Sequence, residues 1–242
     1  MKKILIIQSR SRPEMITAEQ GEYQRVVGSM ADVSFLSALD ESLAWDEPIK
    51  ILEGFDAMFL AGSGEFDLHS DAEPETRMVP AQTILLRLTP FIKFILEKDF
   101  PTFGICFGHQ LIGEAQCGGV ITDPKQQKVG SFPVVVTLEG KQDRLFHDLP
   151  DSFIGQYGHH NSLSRLPKGA TLLAGGSKCK FAALRYGSHV YTVQFHPELT
   201  QQDVYWKLEN SPGYLPEGKL EDIIKPSPEA SLLIPKFIEK VV

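Results

Sequence analysis

At 242 residues the chain is long enough to bury a sizeable core, and one α/β domain of this size is ordinary. Its 24 Lys and Arg against 31 Asp and Glu give a net charge of −7, which favours solubility and argues against a nucleic-acid surface; the basic residues are scattered, without interleaved aromatics. Three cysteines without paired spacing point to a reducing compartment, most simply the cytoplasm.

The opening Met1-Lys2-Lys3 followed by Ile4 to Ile7 resembles a signal peptide, but the apolar stretch stops at Gln8-Ser9-Arg10, too soon for one. Residues 3–8 read instead as a first buried strand. Residues 13–30 contain a helix opened by Pro13-Glu14, and residues 32–35 a second strand. A third, at 55–61, ends in Gly62-Ser63-Gly64, a turn of small residues whose backbone amides are free to point outward. Residues 66–80 form a long acidic connection carrying Asp67, His69, Asp71, Glu73, Glu75 and Arg77. Two readings of it stand, a lid beside a site and a solvated surface loop. Residues 81–97 form a helix with Ile84, Leu85, Leu88, Phe91, Ile92 and Ile95 on one face, and Pro90 is expected to kink or split it. No segment approaches the roughly 18 apolar residues of a membrane span.

Next comes Gly104-Ile105-Cys106-Phe107-Gly108-His109-Gln110, between a short buried strand at 100–105 and a helical turn or two at 111–116. A residue on so sharp a strand-to-helix turn is pushed out of the backbone surface, and glycine on either side removes the Cβ clashes. The helix that follows aims free N–H groups at the sulfur, which lowers the thiol pKa from its free value of about 8.5. A buried, inert cysteine in a strand-helix connection is the competing reading. Cys117 and Cys179 have no acid or base beside them and read as a packing and a surface residue respectively.

Beyond Val120 the pattern changes to glycine-punctuated strands at 132–138, 153–157, 170–174, 181–186 and 190–195, with Arg185-Tyr186-Gly187-Ser188-His189 as a hairpin turn. The first half therefore reads as a doubly wound parallel sheet flanked by helices, and the second adds antiparallel strands to it. The strand at 190–195 ends in His196-Pro197-Glu198. Proline keeps His196 extended and places Glu198 within reach of its imidazole. A thiol nucleophile needs an imidazole to take its proton and a carboxylate to orient that imidazole. Residues 200–242, with Pro212, Pro216, Pro226, Pro228 and Pro235, hold short helices at 201–210 and 230–242 and read as a wrap on the same domain. The expectation is one domain, 1–242, with its core at about 3–199.

Taken together, the two motifs resemble the class I (triad-type) glutamine amidotransferases. Gly104, Cys106, Gly108 and Gln110 match the family's elbow, and His196, Pro197 and Glu198 match its distal triplet. The resemblance implies a flavodoxin-like fold and hydrolysis of the side-chain amide of glutamine through a γ-glutamyl thioester on Cys106. His196 would be the general acid and base and Glu198 its orienting carboxylate. It implies an oxyanion hole at Gly62, Ser63, Gly64 and the amide of Phe107, although the proline common in the family's turn is replaced here by the run into Glu65-Phe66. It implies substrate contacts from Gln110 and from the Gly158-to-Ser162 run through His160, Asn161 and Ser162. That run also reads as a polar turn; as a metal site it fails, because adjacent histidines on an extended segment point to opposite sides.

No cofactor or metal is implied. Neither a Gly-x4-Gly-Lys-[Ser/Thr] loop nor another nucleotide loop is present, so ammonia would pass to an acceptor or to a separate synthetase subunit. The substrate is expected to be a small molecule, glutamine or another γ-glutamyl compound, with neither nucleic acid nor membrane as partner. A stand-alone γ-glutamyl peptide or amide hydrolase with the same triad is an alternative. A non-catalytic regulatory or redox-sensing module is another, disfavoured by the intact His196-Pro197-Glu198.

Overall fold

The structure, a computed structural model, describes residues 1–69, 74–177, 179–211 and 219–242, with 74–77 in backbone only. Strand β1 (Lys2–Gln8) leads into α1 (Pro13–Val27), β2 (Ala31–Ser37), α2 (Pro48–Leu52), β3 (Ala57–Leu60), α3 (Pro74–Lys98), β4 (Thr102–Ile105) and α4 (Phe107–Ala115). The second half runs β5 (Val120–Thr122), β6 (Lys128–Val136), β7 (Ser152–His159), β8 (Asn161–Leu163), β9 (Ala170–Gly176), β10 (Cys179–Tyr186) and β11 (Val190–Val193). Four helices follow: α5 (Gln201–Glu209), α6 (Leu220–Ile223), α7 (Pro228–Ser231) and α8 (Leu233–Lys240).

Nine strands form one sheet in the order β2-β1-β3-β4-β11-β10-β9-β6-β7, and β5 pairs with β8 separately. The ladder is parallel from β2 through to β11 and antiparallel from β11 to β7. This is the expected doubly wound sheet with added antiparallel strands. Runs such as Ile4 to Ile7 are apolar at consecutive positions because both faces of a parallel strand are covered. Ile4 and Ile6 pack on one side with Phe59, Phe103 and Tyr191; Leu5 and Ile7 pack on the other with Met58, Leu60 and the α3 residues Ile84, Leu88 and Phe91.

Helix α3 departs from expectation. It runs unbroken through Pro80 and Pro90 and starts at Pro74, taking in the end of the acidic connection. Pro90 removes one N–H, and the carbonyl four residues back that it would have met belongs to Leu86, a residue on the exposed face. The opposite face, with Ala81, Ile84, Leu88, Phe91, Ile92 and Ile95 buried, holds the helix on the sheet. By length and composition Met78–Lys98 is apolar enough to cross a membrane, with mean hydropathy 1.3, against the expectation that no segment comes near. Its buried face and the Arg87 hydrogen bond to the Ala38 carbonyl make it a core-facing helix here. Asp71, Glu73, Pro212 and Pro216 lie outside the described residues, and Glu75 and Arg77 are described in backbone only.

The C-terminal segment packs on the strands that carry the motifs. Phe237 of α8 meets Phe103, Phe59 and Tyr191 edge-on, at ring-centroid distances of 5.2, 5.8 and 6.1 Å. A capping box between Thr200 and Asp203 starts α5, and Arg25 pairs with Asp203 to tie that helix to α1. Two cysteines exchange the places expected of them. Cys117 is exposed, at φ +62° just past α4, whereas Cys179 is buried at the start of β10. Burial pushes the Cys179 thiol up to about 11.

Candidate active site

Strand β4 delivers Cys106 to the carboxyl edge of the sheet, where its N–H donates to the Val193 carbonyl at 2.8 Å. Cys106 sits at φ +50°, ψ −97°, and α4 begins at the next residue. A non-glycine residue in that region carries strain of about 1–3 kcal/mol, and such strain persists only where the surroundings impose it. The bracketing glycines are part of that imposition. A Cβ on Gly108 would lie 2.2 Å from the Leu60 carbonyl oxygen, so only glycine lets the first turn of α4 rest on the end of β3. A Cβ on Gly104 would meet Thr192 Cγ2 at 3.0 Å and the Gly108 carbonyl at 3.1 Å.

Ninety residues of chain are closed by the β4–β11 ladder, in which Val193 stands opposite Ile105. His196 follows three residues beyond that rung, its N–H donating to the Gln156 carbonyl at 2.8 Å. Its Nδ1 lies 2.5 Å from Glu198 Oε1, and its ring lies near enough to Cys106 for the thiol to act on its charge. Burial alone would lower the pKa of His196, but the charges and hydrogen bonds of Glu198 and Cys106 outweigh it and push it up to about 10. The direction of the shift favours the imidazolium at neutral pH. By contrast burial holds His109 and His159 near 3, with His109 against Thr192 Oγ1 and His159 against the Asn161 carbonyl. Of these three buried histidines, only His196 is bonded to a carboxylate.

Gly62 lies against both side chains: a Cβ there would meet His196 Cε1 at 2.8 Å and Cys106 Cβ at 3.5 Å. Ser63 and Gly64 line a cavity with His196, and Ser63 Oγ accepts from the Glu65 N–H at 3.2 Å. Glu65, where the turn departs from the family pattern, accepts from the Ser11 N–H at 2.9 Å and so ties this turn to the β1–α1 loop. Phe107 opens α4 directly after the thiol.

Of the remaining expected contacts, Gln110 and Asn161 are buried and connect to the thiol through Gln194. Gln110 donates through Nε2 to the Asn161 carbonyl at 2.9 Å and to Gln194 Oε1 at 3.2 Å. Asn161 starts β8 and clasps the acidic connection, its Nδ2 donating to the His69 carbonyl at 2.7 Å and its Oδ1 accepting from the His69 N–H at 3.1 Å. Ser162 is buried next to His159, and His160 is half-buried between β7 and β8. None of these four lines the cavity that His196 faces; Gln156, Tyr157 and Gly158 of β7 do. Among the described residues no group of three or more His, Cys, Asp or Glu could hold a metal ion.

The family described as glutamine amidotransferase class-I matches residues 82–204, just over half of the chain, from α3 through both motifs to α5. The chain belongs to that family. Curated relatives include a glutamine-hydrolysing GMP synthase subunit from Methanosphaera stadtmanae, 31% identical over 108 residues that cover 44% of this chain and 56% of that protein. The corresponding subunit from Archaeoglobus fulgidus is 25% identical over 181 residues, 74% of this chain and 85% of that protein. The glutamine-hydrolysing GMP synthase of Wolinella succinogenes is 31% identical over 113 residues, 46% of this chain but 22% of the larger protein. The chain therefore spans 22% and 56% of the Wolinella and Methanosphaera proteins, under two thirds of either. In fold it is similar to a glutamine amidotransferase from Thermotoga maritima, with TM-score 0.69 at 18% identity over 99% of this chain and 97% of that one. A glutamine amidotransferase from Methylobacillus flagellatus has TM-score 0.65 at 18% identity, over 98% and 92%.

Within this amidotransferase fold the structure adds residues that the motifs did not flag. Gln194 Nε2 donates to Cys106 Sγ at 3.5 Å, and its Oε1 is fixed by Gln110. The signal was there: Gln194 is a lone amide in an apolar strand run, two residues before His196 and so on the same side. Arg10 and Lys207 line the cavity from the side of α1 and α5, and neither belongs to any motif.

Proposed function

We propose that the chain hydrolyses the side-chain amide of glutamine, or a related γ-glutamyl amide, through a thioester on Cys106. What carries the reading is the contact between Cys106 and an imidazole held at 2.5 Å by Glu198. The sulfur attacks the amide carbon and the C–N bond breaks. The departing nitrogen takes the proton that His196 holds at neutral pH. Water, giving a proton to the now neutral His196, then cleaves the thioester to release glutamate. The amides of Phe107 and of the Gly62-Ser63-Gly64 turn would stabilise the oxyanion, where each donor is typically worth on the order of 10²–10³ in rate. Gln110, His160, Asn161 and Ser162 would shape the wall around the acyl group.

Residues 1–242 would act as one domain in the cytoplasm, where the thiol stays reduced, and ammonia would go to an acceptor or a separate synthetase chain. The two archaeal relatives are named as subunits of a glutamine-hydrolysing synthase, which supports such a partner. The test is incubation of the purified protein with glutamine and a panel of γ-glutamyl amides, reading ammonia or amine release, alongside labelling by an electrophilic glutamine analogue mapped by mass spectrometry. Release with the label on Cys106 is expected. The absence of both release and labelling would refute the assignment.

Gln194 gives a further prediction. A hydrogen bond to a charged group contributes about 1.5–3 kcal/mol, so Gln194→Leu should lower kcat by roughly 10- to 100-fold with little change in KM. Gln194→Glu should in addition slow alkylation of Cys106 by iodoacetamide and displace its pH profile upward. Alkylation profiles that superimpose on the parent's would remove Gln194 from the site.

A further inference from the structure

The cavity beside His196 is larger than release of ammonia requires. Its volume is about 70 Å³ measured as room for the centres of water-sized spheres, where one water needs roughly 10–15 Å³. His196, Ser63 and Gly64 line it, but Cys106 does not. Because His196 lines the cavity, the nitrogen that it protonates, and the group that departs with that nitrogen, face this space. Arg10, only 4% exposed, lines the same cavity as His196. Its Nε donates to Glu19 Oε1 at 2.7 Å, while its two terminal nitrogens donate to no described residue. That free edge is a planar fork with the geometry of a carboxylate. Lys207 of α5 also lines the cavity, its Nζ 3.0 Å from Glu22 Oε1.

We infer that this cavity seats a carboxylate-bearing leaving group on Arg10, with Lys207 as the second cation, so that the preferred substrates are γ-glutamyl amino acids or peptides. The inference rests on Cys106 being the nucleophile of a γ-glutamyl amidase. Glutamine carries nothing beyond its amide nitrogen to occupy the space, whereas in a γ-glutamyl peptide that nitrogen bears an amino acid ending in a carboxylate. The reaction balances as a hydrolysis: the γ-glutamyl C–N bond breaks, His196 protonates the nitrogen, and water supplies the hydroxyl to the acyl carbon. The local charge accommodates the incoming anion. Glu19 is held by Arg10 and by Gln8 Nε2, and burial pushes Glu22 up to about 7 against the pull of Lys207, so Glu22 takes up a proton readily when negative charge arrives.

The experiment compares γ-glutamyl-glycine with γ-glutamyl-glycinamide, which match in size and differ in the terminal carboxylate. The parent should favour the acid over the amide by at least tenfold in kcat/KM. Arg10→Met should bring the ratio to near one, mainly by raising KM for the acid. Because the ratio is internal to each preparation, partial loss of folded protein does not alter it. Should Arg10→Met fail to fold with Glu19 left unpaired, Lys207→Met gives the second reading, with a ratio reduced several-fold. If the parent cleaves both compounds without preference, or the ratio survives both substitutions, the inference is overturned and the amidase assignment stands. If the parent cleaves neither compound nor glutamine, the assignment itself has failed.

Discussion

Replacing Cys106 by alanine should abolish release of ammonia or amine from any γ-glutamyl amide that the protein cleaves and leave the fold intact. In a hydrolase triad, loss of the nucleophile costs on the order of 10⁶ in kcat, and a loss of that order is expected here. The side chain is nearly enclosed, so alanine leaves a void the size of one sulfur atom, a small fraction of the core. A second comparison tests the backbone. At φ +50° and ψ −97° any side chain is strained, and glycine is not. Cys106→Gly should therefore match or exceed Cys106→Ala in thermal midpoint, even though glycine ordinarily costs about 0.5–1 kcal/mol relative to alanine in regular structure. The other cysteines serve as controls. Cys117→Ala, at an exposed position, should be silent in both assays, whereas Cys179→Ala should lower the midpoint by emptying a core position and spare activity. Turnover surviving in Cys106→Ala would mean that the nucleophile lies elsewhere.

Some of this site was legible in the sequence because its causes are local. The glycines around Cys106 announce a steric demand, and the structure supplies the object that makes it, the Leu60 carbonyl. The triplet His196-Pro197-Glu198 needs only two residues to bring carboxylate and imidazole together. What stayed hidden depends on partners far along the chain. The β5–β8 ladder buries Asn161 and Ser162 in a segment that reads as a polar turn, because the other half of the pair is forty residues upstream. Cys179, flanked by lysines, looks exposed until strand alternation in β10 turns it inward. Pro90 reads as a break because sequence shows its missing N–H but not that Leu86, four residues back, lies on the exposed face of a helix whose other face is buried. Arg10 carries no signal, since its place in the cavity that His196 lines follows from β1 and β3 being sheet neighbours, which brings their terminal loops together.

His196 and Glu198 should separate by size of effect and by pH. In a hydrolase triad, loss of the histidine costs on the order of 10⁶ in kcat and loss of the carboxylate on the order of 10⁴. Glu198→Gln should therefore retain more activity than His196→Ala, because an amide oxygen still accepts the Nδ1 hydrogen while contributing no charge. The pH dependence follows from a folded-state pKa raised from the ordinary 6.5 to about 10. A histidine raised in this way contributes stability that is fully present below about pH 6.5 and is lost as pH climbs towards 10. The parent's thermal midpoint should decline across that window by more than that of His196→Gln, which has no such group. In Glu198→Gln the largest influence raising the imidazole is gone, so the decline should begin and end at lower pH. The measurement is thermal unfolding of the three proteins between about pH 6 and 10.5, with kcat/KM recorded in parallel. Parent and His196→Gln curves of equal slope would show that His196 is not held as an imidazolium. In that case the leaving nitrogen would have to draw its proton from another source.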